Sequence, residues 1–178
     1  MLSKNMQDLL NDQINFEFYS AYIYLSMAAY LEANNLIGCA QWMRAQTQEE
    51  ILHAMKMYDF VNGRGGRVVL KEINGPKTEW ASPVEAFEDA LKHEQIVTGR
   101  INNMMNVAMK EKDHATQIFL QWFISEQVEE EASVDGVIKK LRLAGPGGLF
   151  MIDRELGQRV FTPPVQPSQA NQTSSQKA

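Results

Sequence analysis

No proline falls within residues 1–75, and only Pro76 and Pro83 precede Pro146. A proline inside a helix removes a backbone hydrogen bond and clashes with the preceding turn, at a cost of about 3 kcal/mol. Its absence from a stretch rich in Leu, Met, Ala, Glu, Gln and Lys therefore predicts long helices and an all-α class. The first helix is expected from Ser3 as N-cap to the Asn34-Asn35 pair, where two poor helix formers permit a tight turn. A second runs from about Leu36 to Asn62, stopped by Gly63, Gly65 and Gly66. Ser82-Pro83-Val84-Glu85 supplies an N-cap, a proline at the first helical position and a capping-box glutamate for the third helix, expected to end near Lys112. Asp113 then caps a fourth helix, which reaches Leu143 before Gly145-Pro146-Gly147-Gly148. A short amphipathic fifth helix is expected over Leu149–Arg159.

Between the second and third helices lie some 20 residues with glycine, Pro76 and a brief Arg67-Val68-Val69-Leu70 run. A structureless length of this kind is unusual inside a compact domain. A helix of about 27 residues is roughly 40 Å long, however, and about 20 extended residues can span about 66 Å. The segment can thus cross the whole bundle and leave helices two and three parallel. One domain over residues 1–160 is expected, followed by a disordered Pro/Gln/Ser-rich tail over 161–178.

Each helix carries an apolar stripe at helical spacing, and each stripe is interrupted by a polar group. Leu10, Glu17, Ala21, Tyr24, Ala28 and Leu31 share a face of the first helix; Met43, Glu50, His53, Met57 and Phe60 share one of the second. Phe87, Leu91, Glu94, Ile101 and Met105 line the third, and Leu120, Phe123, Gln127, Glu130, Val134, Val137 and Leu141 the fourth. The helix midpoints fall roughly at residues 18, 49, 97 and 128. Residues at mid-helix meet in the central layer whatever the direction of each helix. Glu17, Glu50, Glu94, Glu130, His53 and Gln127 are therefore expected to converge.

Four carboxylates in an apolar core repel one another, and an ionised group buried without a partner costs several kcal/mol even after relaxation. Two divalent cations balance four carboxylates by charge. Oxygen donors with one imidazole suit iron or manganese better than copper or structural zinc. Such a site is poised for Fe(II) oxidation.

The segments QINFEFYSAYIY around Glu17, QTQEEILHAMKM around Glu50 and His53, KHEQ around Glu94 and WFISEQVEEE around Glu130 resemble the prokaryotic non-haem ferritins over residues 1 to about 158. The resemblance implies a ferritin-like four-helix bundle with one long crossover. It also implies Glu17, Glu50 and His53 on one iron, Glu50, Glu94 and Glu130 on the other, and Glu50 bridging. Gln127 would hydrogen-bond bound oxygen species or ligands, and Tyr24 would stand beside the pair as an electron donor or a core aromatic. Glu49, Glu126 and Glu129 match a third iron site of some family members; by pattern alone they read as a solvated acidic face. The family's activity would be oxidation of Fe(II) to Fe(III) by O2 or H2O2 and deposition of a ferric mineral in a cage of 24 subunits. The fourth helix offers Gln127-Val128-Glu129-Glu130 where bacterioferritins and rubrerythrins have a second Glu-x-x-His, and Ile51 stands where bacterioferritins place a haem-ligating methionine. Haem is not expected.

The net charge of −5 disfavours nucleic acid and anionic membranes as partners, and neither an h-region nor a membrane-spanning apolar run is present, so a cytoplasmic location is expected. Cys39 is read as a helix-packing residue, and His93 and His114 as surface histidines. Two other readings of the same pattern are a metal-free helical interaction module with a partly solvated polar layer and a di-iron oxidase or peroxidase.

Overall fold

The computed structural model describes residues 2–162; from residue 163 on, the expected disordered tail lies outside them. Four helices follow in order: α1 (Lys4–Ala33), α2 (Ile37–Gly63), α3 (Pro83–Lys110) and α4 (His114–Leu156). The N-terminal signals act as the sequence predicts. Ser3 Oγ accepts from Met6 N at 3.0 Å, Ser82 Oγ from Glu85 N at 3.1 Å and Asp113 Oδ1 from Thr116 N at 3.2 Å. Glu85 reaches back to Ala81 N at 2.7 Å, one residue beyond the N-cap. The α1–α2 and α3–α4 turns are tight, with Asn35 (φ 58°) and Lys112 (φ 57°) in the left-handed region. That conformation ends each helix without a long loop.

Side-chain pairings fix the helix directions. Along α1, Ser3, Ser20 and Tyr24 meet Glu111, His93 and Glu94 of α3, so these two helices are antiparallel. Along α2, Gln46, His53 and Arg64 meet Glu130, Trp122 and Asp113 of α4, which are antiparallel too. Since α1 and α2 form one tight hairpin and α3 and α4 another, α2 and α3 run parallel, as the length of the crossover allows. Residues 66–80 of that crossover carry no regular structure. Several of their backbone groups are met by side chains of α1 instead: Asn11 bridges Arg67 O and Val69 N, Asn15 bridges Lys71 N and Glu72 O, and Ser26 donates to Lys77 O at 2.7 Å. Polar residues on the outer face of α1 thus hold the crossover along the bundle.

The C-terminal end breaks where the glycine-proline run predicts, with a tighter joint than expected. Helical structure spans His114–Leu156 but is broken at Gly145 (φ 58°, ψ −172°), where the glycine-proline run is expected to end the fourth helix, and it resumes directly at the break and not at Leu149. Glycine tolerates the left-handed turn, and Pro146 suits the first position of a restarting helix, so one residue breaks the helix and the next resumes it. The segment beyond the kink packs on the start of α2, whose N-cap, Leu36, offers no side-chain bond. Asp153 supplies it instead, accepting from Cys39 N at 2.8 Å. The contact is so close that a Cβ on Gly38 would stand 1.6 Å from Asp153 O.

Buried apolar residues fall into two clusters. One gathers Met27, Leu31, Met43, Phe87, Val134 and Leu141; the other gathers Leu10, Ile14, Met57, Ile101, Leu120 and Phe123. On every helix the polar interruption lies between the two.

Candidate metal centre

The interruptions meet where the midpoint argument places them. Glu17, Glu50, His53, Glu94, Gln127 and Glu130 are each at most 5% exposed. Glu17, Glu50 and His53 bring ligand atoms within 4.8 Å of one another, and His53, Glu126 and Glu130 form a second such group. His53 therefore belongs to both, with its Nδ1 3.5 Å from Glu50 Oε2. Glu94 faces the same layer but is engaged differently: Tyr24 Oη donates to its Oε1, and Gln127 Nε2 donates to its Oε2 at 3.1 Å. Of the acidic residues flanking the layer, Glu126 is half-buried and joins the second group, whereas Glu129 is exposed and joins neither. Glu49 is held in an ion pair by Arg159.

The electrostatics of the layer favour the neutral acids. Burial, followed by the charge of Glu50, holds Glu17 well above the usual carboxylate range. Burial and the charges of Glu94 and Glu130 do the same to Glu50, and burial raises Glu94 against the opposing bonds from Tyr24 and Gln127. Glu130 is pushed up to about 8 by burial and by Glu94. Tyr24, buried beside Glu94, lies well above the ordinary phenol value. These shifts express a layer that holds negative charge only when something positive enters it.

The donors present do not fill that need. Glu17 Oε2 is buried with no hydrogen-bond partner among the described residues. Three other carboxylate oxygens are steered by two glutamines that sequence reasoning missed. Gln13 Nε2 donates to Glu17 Oε1 at 2.8 Å, and Arg100 Nε fixes Gln13 by donating to its Oε1 at 2.7 Å. Gln46, fully buried, bridges Glu50 Oε1 (3.3 Å) and Glu130 Oε2 (2.7 Å). A signal existed: Gln13-x-x-x-Glu17 and Gln46-x-x-x-Glu50 share one spacing, which stacks amide on carboxylate one helical turn apart. An orphaned carboxylate oxygen, a set of oxygen donors with one imidazole and excess negative charge together fit a pair of divalent, oxygen-preferring cations.

His93 corrects the sequence reading. It is not a surface residue but 7% exposed, stacked on Phe16 at 5.1 Å, with its Nε2 2.7 Å from Ser20 Oγ. Burial lowers its pKa to about 4, so it stays neutral and packs as an aromatic ring. His114 is exposed, as expected, and Cys39 is buried in an apolar cluster.

Comparison with known proteins agrees with this geometry. Residues 7–144 match the ferritin-like domain family. A bacterial non-heme ferritin of Bacteroides fragilis is 43% identical over 159 residues, spanning 89% of this chain and 100% of that one. One from Staphylococcus saprophyticus is 44% identical over 163 residues, spanning 90% and 98%. Among solved structures, the open pore ferritin of the hyperthermophilic archaeon Archaeoglobus fulgidus superimposes with a TM-score of 0.89 at 52% identity, covering 90% of this chain and all of that one.

Proposed function

This chain belongs to the ferritin family and stores iron, and from that premise we propose that its central layer is a ferroxidase centre that oxidises Fe(II) before the metal is stored. The observation that carries the reading is the set of four buried glutamates, with Glu17 Oε2 lacking any donor among the described residues. Fe(II) is the substrate. Glu17, Glu50 and His53 take one ion and Glu50, Glu94 and Glu130 the other, Glu50 lying between them. The grouping of Glu17, Glu50 and His53 supports the first set directly. For the second, Glu94 has to exchange its bond with Tyr24 for the metal, while Gln127 keeps its hold on the other oxygen.

What the chain's own residues do follows from their bonds. Gln13 and Gln46 orient the carboxylates, and the two apolar clusters above and below keep bulk water from the layer. As the acids bind metal they release protons, so uptake strengthens with pH. Two electrons leave the iron pair for O2 or H2O2, and Tyr24, whose hydroxyl already touches Glu94, stands where it can supply another. Glu126, with Glu49 and Glu129 beside it, forms the third iron position. Storage needs an enclosure that one bundle cannot provide, and the proposal includes a cage of 24 subunits in the cytoplasm. No helix among the described residues is long and apolar enough to cross a membrane.

The test is anaerobic addition of Fe(II) to the purified protein, admission of air, and measurement of ferric absorbance and particle size for the wild type, Glu50→Ala and Glu94→Ala. Rapid oxidation of two irons per chain in a large particle, lost in both variants, is expected. Oxidation no faster than in buffer, or unchanged in the variants, would sink the ferroxidase assignment and favour a passive container.

A further inference from the structure

Glu49, one of the residues of the proposed third iron position, is paired with a cation of the chain's own. Arg159, three residues beyond the end of α4, closes an ion pair with Glu49 on α2. Its guanidinium lies 4.1 Å from the centre of the Trp42 ring, and its carbonyl accepts from Gln41 Nε2 at 3.2 Å. Both side chains are about four-fifths buried, 21% and 22% exposed. This is therefore a placed contact and not a pair of solvated ends.

Charge counting gives the contact a consequence. Two Fe(II) balance Glu17, Glu50, Glu94 and Glu130. A third divalent ion nearby needs two further carboxylates, and the half-buried candidates are Glu49 and Glu126. With Arg159 on Glu49, the half-buried pair is reduced to Glu126, the second charge has to come from the exposed, solvated Glu129, and the arginine repels the incoming metal. We propose that Arg159 sets the iron occupancy of each subunit, acting as a resident counter-cation that keeps the third position weak until its guanidinium swings away from Glu49. The inference rests on the two-iron reading of the central layer.

The clamp is built to let go. Arg159 lies outside any helix, and its Nη1 is buried without a partner among the described residues. A buried donor left unpaired is costly, so the closed position is held less firmly than a fully bonded arginine would be. Release costs the Glu49 pair and the Trp42 stack but frees that donor to water. Iron held next to the pair can then pass to Glu49 and Glu126 and leave the layer, while the arginine returns behind it.

The test is an anaerobic Fe(II) titration followed by calorimetry, in which binding is read without oxidation, on the assembled wild-type protein, Arg159→Gln, Arg159→Lys and the double variant Arg159→Gln/Glu49→Gln. Wild type should bind two irons per chain tightly and a third weakly. Arg159→Gln should tighten the third by about tenfold, Arg159→Lys should keep the wild-type pattern, and the double variant should lose the third site. Two tight irons throughout with an unchanged third in Arg159→Gln would overturn the role of Arg159 and leave the two-iron centre standing. A tight third iron in the wild type would overturn it as well. Fewer than two tight irons in the wild type would remove the two-iron reading itself and this inference with it.

Discussion

The two apolar clusters and the layer between them are made from the same four helices, yet they obey opposite rules. Above and below, Leu31, Met43, Phe87 and Leu141, or Leu10, Met57, Ile101 and Leu120, lose nearly all contact with water and need nothing beyond close packing. In the middle, Glu17, Glu50, Glu94 and Glu130 are buried just as deeply, and Glu17 Oε2 has no hydrogen-bond partner among the described residues. Burial that stabilises in one layer destabilises in the next. The contrast teaches that the bundle's stability resides in its ends and the chemistry we propose for it in its waist, so substitutions should separate the two.

The largest stability effect belongs to an apolar layer. Phe87 is fully buried against Trp42 at a ring separation of 5.2 Å. Phe87→Ala should cost about 3–5 kcal/mol in denaturant unfolding while leaving two irons bound per chain. A loss below about 1 kcal/mol would mean that the cluster repacks and the contrast is weaker than drawn. The waist should behave in the reverse way. Glu50→Gln removes a buried acid with little change of shape; we expect Fe(II) oxidation to fall at least about 100-fold and the metal-free protein to become no less stable, or more so, near pH 8. A clear destabilisation without metal would show that Glu50 supports the fold.

A pH titration of the metal-free protein sharpens the same comparison with no substitution. The native waist keeps protons that the unfolded chain releases near pH 4.5, and Glu130 keeps its own up to about 8. Stability derived from these acids is fully present below about pH 4.5 and is lost as pH rises through the folded values. His93 works in the other direction. With its pKa lowered from 6.5 to about 4, it costs stability as pH falls through that interval. Between about pH 7.5 and 8 His93 is almost wholly neutral in both states, and the decline from the acids should stand alone. Denaturant midpoints measured across this window should fall with rising pH, and a divalent cation should abolish the fall. A flat profile would mean that the waist is hydrated enough to ionise freely.

The waist was legible in the sequence because helical spacing and mid-helix position are both written in residue order. Glu17, Glu50, Glu94 and Glu130 interrupt apolar stripes at comparable heights, and no tertiary knowledge is needed to see that they meet. Gln13 and Gln46 were less visible: glutamine is an ordinary helix residue, and only the repeated four-residue offset from a site glutamate distinguishes it. His93 was misread for a similar reason. Beside Glu94 and Lys92 it looks like one more polar residue, and its burial depends on Phe16 and Ser20, some 70 residues away in sequence. The pairing of Arg159 with Glu49 spans 110 residues and follows from the kink at Gly145, whose angle no pattern encodes.

That kink also sets the smallest expected effect. Leu36 leaves α2 without a side-chain cap of its own, and Asp153 provides one from beyond the kink, at a distance in sequence that no capping motif spans. If the bond acts as an ordinary N-cap, Asp153→Ala should cost about 1 kcal/mol, comparable with Ser82→Ala at the local cap of α3. The two variants differ in what else they should disturb. Ser82 serves α3 alone, whereas Asp153 also fastens the segment that carries Arg159 to its place over Trp42. Asp153→Ala should therefore loosen the arginine as well and raise hydrogen exchange over residues 146–159, while Ser82→Ala leaves that segment protected. Equal exchange in both would show that packing of Leu156 and the close approach at Gly38 hold the segment without the cap.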